Sequence, residues 1–237
     1  MKKVKILGLA AVSMGLLFGC SRFTPDETAI SVKKDYGVVS YIKETFDKDY
    51  YDSGELEATI DQAILEYNTS TGTENIEKTQ FEVKDQIAEV KIEYATGEDY
   101  ASFNEVTLFS GDVLGAYYAG YDFAGQFQSV KKGKVTAVDV TGNDILNSYN
   151  YGILILEEAV NVEVPGNIVY ASSNVQITGR RTAAVMASDA EEKESTEEVQ
   201  HETNEEGVLS IAPVSSGSVK ATTEDGAETQ LAYILYE

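Results

Sequence analysis

Few side chains in this chain are equipped for chemistry. One cysteine, Cys20, and one histidine, His201, stand among 40 acids, 15 tyrosines and no tryptophan. A lone cysteine forms no disulfide within one molecule and leaves the body without thiol ligands for zinc. His201 lies inside a run of acids, so neither a Ser-His-Asp triad nor a histidine-ligated metal is expected. No Gly-rich phosphate loop and no His-Glu-x-x-His occurs. No catalytic residue, metal site or cofactor is therefore assigned. Carboxylates, tyrosines, serines and lysines remain. Glycoside hydrolysis needs only two carboxylates at the right separation. Glu157-Glu158 is an adjacent pair, but neighbours on a strand point to opposite faces. Asp47 and Asp49 are spaced like the start of a calcium loop. The pattern then fails, with Tyr51 where an oxygen ligand belongs and Asp52 where glycine is needed.

The stretch Ser110–Gly125 is the one place with the look of a ligand-facing surface. It holds four glycines, with Tyr117, Tyr118, Tyr121 and Phe123 among them. Rings stack on sugars and on flat ligands. Two readings stay open: a packed loop whose rings cover exposed backbone, and a binding surface. The absence of tryptophan counts against a sugar site.

These residues must be delivered and positioned by the rest of the chain. Lys2, Lys3 and Lys5 form a basic head, and an apolar run from Ile6 to Phe18 follows. That run is too short to cross a hydrocarbon layer of ~30 Å as a helix, and the pattern is that of a secretory signal. Leu17-Phe18-Gly19-Cys20 resembles the lipobox of bacterial lipoproteins: leucine at −3, a small residue at −1, cysteine at +1. Phe18 departs from the usual small or β-branched residue at −2. The resemblance implies cleavage before Cys20, a diacylglyceryl thioether on its sulfur and a further acyl chain, such as palmitate, on the new amine. Two or three chains at about 0.8 kcal/mol per buried CH₂ make a stable anchor. The expected location is the extracytoplasmic face of the membrane.

Without the leader's three lysines, 15 Lys+Arg stand against 40 Asp+Glu, a net −25. Nucleic-acid binding needs a basic face and is excluded as an expectation. Attraction to anionic headgroups by charge is excluded likewise.

The hydrophobic pattern predicts one α+β domain: a largely antiparallel sheet with one main amphipathic helix over residues 55–67. On that helix Leu56, Ile60, Ala63, Ile64 and Tyr67 share a face. Asp52 or Ser53 can cap it. Hairpins are predicted around Asp35-Tyr36-Gly37, Asp85-Gln86, Lys132-Gly133 and Gly179-Arg180. Val160–Val164 should turn at Pro165-Gly166-Asn167 and return as Ile168–Ala171. Ile153–Leu156 is unbroken apolar and should be buried on both faces. The expected layout is a signal peptide at 1–19, a lipid-anchored polar tether at 20–28 reaching ~25 Å if extended, and the domain at 29–186. An acidic linker follows at 187–207, with nine acids against Lys193, too poor in apolar residues to order itself. In the final segment, 208–237, the apolar run Leu231–Tyr236 should dock back as a buried strand.

The stretch from Phe46 to Asp52, with the helix through Tyr67-Asn68, resembles small cell-surface lipoproteins of unknown function from Gram-positive gut bacteria. That resemblance carries no catalytic residues. It implies a cell-surface lipoprotein. The expected function is non-catalytic binding or scaffolding, with a cell-envelope protein or glycan as partner. The alternative is a carboxylate-based hydrolase of wall or dietary glycans.

Overall fold

The computed structural model describes residues 23–48, 50–187 and 230–237. Cys20, His201 and the acidic run 189–206 lie outside them. Thirteen strands and four helices follow along the described chain: β1 (Ala29–Val32), β2 (Val38–Thr45), α1 (Ser53–Thr71), β3 (Ile76–Lys84), β4 (Ile87–Tyr94), α2 (Gly97–Asn104), β5 (Leu108–Asp112), α3 (Val113–Tyr118), β6 (Phe127–Lys131), β7 (Lys134–Val140), α4 (Gly142–Leu146), β8 (Gly152–Leu156), β9 (Asn161–Glu163), β10 (Ile168–Ser172), β11 (Val175–Ile177), β12 (Thr182–Val185) and β13 (Ala232–Tyr236).

The strands form two sheets where one was expected. Sheet A has the order β11-β12-β9-β1-β2-β4-β3, and sheet B the order β5-β8-β13-β10-β6-β7. Pairing is antiparallel throughout except between β1 and β9. The class is thus α+β, mainly β. The turn at Pro165-Gly166-Asn167 does not close a hairpin: β9 belongs to sheet A and β10 to sheet B, so the chain crosses between sheets there. Gly166 is required at that crossing, because a Cβ would run into the backbone of Glu237.

Alternation sets the layers. On sheet A, Ile30, Val32, Val38, Val90, Ile92 and Tyr94 point inward. They pack with Leu154, Leu156, Ala232, Ile234 and Tyr236 of sheet B. The opposite face of sheet B carries Phe127, Ile153, Ile155, Tyr233 and Leu235, packed with Val113 and Ala116 of α3 and Ile145 of α4. The centre of sheet B is therefore covered on both sides, and β8 and β13 are buried along their whole length. Strand β13 pairs with β8 on one edge and β10 on the other.

Helix α1 runs past the expected bounds. Asp52 accepts from Glu55 N–H at 3.0 Å and caps its start. The Ser70 and Thr71 hydroxyls bond the carbonyl of Tyr67, which lets the last turn continue to Gly72 at φ 70°. Only Ile64 is buried; Leu56, Ile60 and Tyr67 are half-buried and Ala63 is exposed. Ionic contacts complement this modest apolar face. Lys78 of β3 lies across the register from Ile92, on the inner face, and meets Glu57 at 2.8 Å and Asp61 at 2.7 Å.

Residues 23–28, ahead of β1, lie against sheet A. Phe23 packs edge-on against Tyr41, with centroids 5.5 Å apart. Glu27 accepts from Asn161, and the Thr28 hydroxyl exchanges two hydrogen bonds with the Lys43 backbone.

Candidate functional site

Helix α3 starts where Asp112 caps the N–H of Gly115 at 2.6 Å. Val113 and Ala116 point into sheet B. Leu114, Tyr117 and Tyr118, at i, i+3 and i+4, point outward and are exposed by 44%, 54% and 79%. Gly120, at φ 90°, then turns the chain back, and Tyr121 N–H bonds the Ala116 carbonyl. Tyr121 is half-buried against Phe109 at 5.4 Å. Burial, and secondarily the Glu157 charge, push its hydroxyl pKa up. Phe123 is core, packed on Tyr233 at 5.7 Å. The short α4 follows from Thr141, whose N–H and hydroxyl both bond the Asp144 carboxylate, at 2.9 and 2.7 Å. Those bonds hold the Asp144 pKa below the usual carboxylate value. Gly142 lies so close to the Phe123 carbonyl that a side chain there would collide with it.

Between these segments opens a cleft of about 350 Å³. Tyr117 and Tyr121 contribute rings, Phe123 a buried floor and Leu146 an apolar edge. Asp122, Thr141 and Asn143 contribute polar groups. Of the four aromatics singled out in the sequence, Tyr117, Tyr121 and Phe123 thus share one cleft. Tyr118 is not in it; it stacks edge-on with Tyr117 and otherwise faces solvent. The Gly/Tyr stretch is not one packed loop: it supplies the end of β5, all of α3 and the turn after it. Thr141, Asn143 and Leu146 come from the cap and body of α4. Their approach to the rings depends on the contact of Gly142 with Phe123, and spacing along the chain carries no signal for it.

A second polar cluster lies under α2. Asp99 accepts from the Tyr67 hydroxyl (3.1 Å), the Asn75 amide (2.8 Å), and the Thr96 N–H (3.0 Å) and hydroxyl (2.6 Å). Desolvation alone would raise its pKa, but the hydrogen bonds outweigh burial and the net shift is downward. Tyr100 donates to Glu158 at 2.9 Å. Burial pushes the Glu158 carboxyl up, Tyr100 opposes that and the neighbouring Glu157 charge adds to it. Glu157 instead accepts from Thr107 N–H at 2.9 Å, so the two neighbours serve different elements. This cluster ties elements together and opens onto none of the clefts described here.

Two further clefts lie on sheet A. One, of about 260 Å³, is lined by Phe23, Pro25, Tyr41, Gln80, Glu89 and Lys91 among others; the other, of about 300 Å³, by Glu27, Val160, Asn161 and Val185 among others. Each of the three clefts holds one carboxylate: Asp122, Glu89 or Glu27. A two-carboxylate glycosidase centre needs a second one across the cleft. Among the described residues no group of three or more histidines, cysteines or acids is placed to hold a metal ion. No helix among them is long and apolar enough to cross a membrane. The sequence matches no protein-family model and no curated protein, and the chain matches no solved structure.

Proposed function

We propose that this chain is a lipid-anchored, extracytoplasmic binding protein whose α3–α4 cleft takes a glycan of the cell envelope. The observation that carries the reading is the pairing of Tyr117 and Tyr121 with Asp122, Thr141 and Asn143 around one open cleft. Rings supply a stacking surface for the apolar face of a sugar, and short polar side chains supply donors and acceptors for its hydroxyls. The single carboxylate favours binding over hydrolysis. Anchorage rests on the lipobox-like Leu17–Cys20 and the basic, apolar leader ahead of it.

Two measurements test this. Cys20→Ala should move the protein from the membrane fraction to a soluble or uncleaved form; unchanged processing and membrane retention would refute the anchor. Soluble wall-glycan fragments should change the tyrosine fluorescence of the soluble domain, a clean signal in a chain without tryptophan. Tyr117→Ala should remove that response and leave the melting temperature unchanged. A response that survives in Tyr117→Ala, or none in the wild type, would refute the cleft as the site.

A further inference from the structure

We infer that the outer face of sheet A lies against the membrane that holds the lipid, so that the α3–α4 face is presented away from it. The inference rests on the anchor at Cys20 proposed above. It is carried by where residues 23–28 lie on the domain. Phe23 sits on Tyr41 of β2, and β2 is flanked by β1 on one side and β4 on the other. The strap therefore leaves the domain from within a sheet face, not from an edge or a loop tip.

Tyr41 belongs to the outer face. It pairs across the register with Lys91 and Ala29, while its neighbours Ser40 and Ile42 pair with inward-pointing Ile92 and Val90. Two contacts bind the strap down behind Phe23: Glu27 accepts from Asn161, and Thr28 bonds Lys43. From Phe23 back to Cys20 is three residues, at most ~11 Å of extended chain. The Leu114–Tyr117–Tyr118 face lies on the far side of the molecule, beyond the inter-sheet core, sheet B and a helix. One sheet spacing and one helix diameter make that about 20 Å. An ~11 Å leash from the middle of one face cannot lay the opposite face on the bilayer while the strap stays in place.

Charge on the membrane-side face is not adhesive: Glu77 and Glu82 stand across the register from Glu93 and Glu89. Lys43 pairs with Glu89 at 3.0 Å and Lys91 with Glu93 at 2.9 Å. The leash, and not headgroup attraction, sets the orientation. The proposed glycan cleft then opens toward the envelope.

The test uses the full, natively lipidated protein in vesicles containing nitroxide-labelled lipid. Cys20 is the only cysteine, so an introduced one is the only free thiol. A fluorophore is placed through Glu82→Cys on the outer face of β3, or through Tyr118→Cys on α3. Quenching at position 82 should exceed that at 118 at least about threefold, given a ~20 Å difference in depth. Flotation with the vesicles and equal quenching, or stronger quenching at 118, would overturn the orientation while leaving the anchor standing. The second of those outcomes would mean that the α3 aromatics dip into the interface. Failure to float would remove the anchor and this inference with it. In Tyr41→Ala the quenching difference should shrink while flotation persists; an undiminished difference would overturn the strap as its cause.

Discussion

Replacing Asp99 tests how the helices are fastened to sheet A. Its carboxylate gathers four hydrogen bonds from α1, from the lead into β3 and from its own helix start, and the residue is 5% exposed. Asp99→Ala leaves all four donors without that acceptor. A buried donor left unpaired costs about 1–3 kcal/mol. Tyr67 and Thr96 can turn to water, so the expected loss at neutral pH is about 3–5 kcal/mol, a large part of a domain's ~5–15. Asp99→Asn keeps one oxygen but not the charge, and should cost about 1–2 kcal/mol. The pH dependence follows from the sign of the shift. The folded pKa is lowered, so the ionised carboxylate contributes fully above the unfolded value of about 3.9 and fades as pH falls through the folded one. Urea unfolding followed by circular dichroism, at neutral pH and in the window below ~3.9, reads both effects. The gap between wild type and Asp99→Asn should narrow in acid. A constant gap would refute the charged hydrogen-bond argument, and an Asp99→Ala loss below ~1 kcal/mol would refute the hub itself.

Glu158 should behave oppositely. Its raised folded pKa means that wild-type stability falls as pH climbs from about 4.3 through that value, and Glu158→Gln, which still accepts from Tyr100, should lack this slope and melt higher at neutral pH. Gln86 stands at φ 62° in the β3–β4 turn, so Gln86→Gly should raise stability by about 0.5–1 kcal/mol in thermal melts; a decrease would show that the Gln86 side chain makes a contact the turn depends on. Ending the chain after Gln230 removes β13, whose four large side chains at ~1.5–3 kcal/mol each rival the stability of the domain, and should abolish the cooperative melt. Replacing residues 189–206 with a short Gly/Ser linker should leave the melt nearly unchanged. Asn174 already holds both flanks, accepting from Met186 N–H and donating to the Gln230 carbonyl, and closure entropy changes only ~0.6 kcal/mol per halving of loop length.

Local features were legible wherever the chain's own chemistry decides them. The Asp85-Gln86 and Lys132-Gly133 turns sit where polar pairs interrupt alternating strands, and both adopt positive φ at each position. Thr96 and Asp99 form the capping box of α2, a device of residues only three apart. The centre of α1 follows from its i, i+4 spacing. The inward aim of Lys78 was not legible. A lysine in a strand reads as solvent-facing, and only the packing of α1 brings Glu57 and Asp61 to it on the inner face.

The division into two sheets was harder to read, although part of it was present in β8. Alternation reports which face of a strand is wet, and not which sheet the strand joins. The pattern of Val160–Val164 followed by Ile168–Ala171 fits a hairpin and a crossover equally, and the crossover is what forms. An unbroken apolar strand is different, because it demands cover on both faces. Ile153–Leu156 and Leu231–Tyr236 both make that demand, and a single sheet with one helix packed on it can cover only one face. The missing cover is sheet A on one side and α3 with α4 on the other. Those helices span six and five residues, too short to show a helical period, so their sequence alone does not announce them. The same brevity concealed the candidate site. The cleft exists because two short helices must cover the second face of sheet B, and the rings left over on their outer side border it.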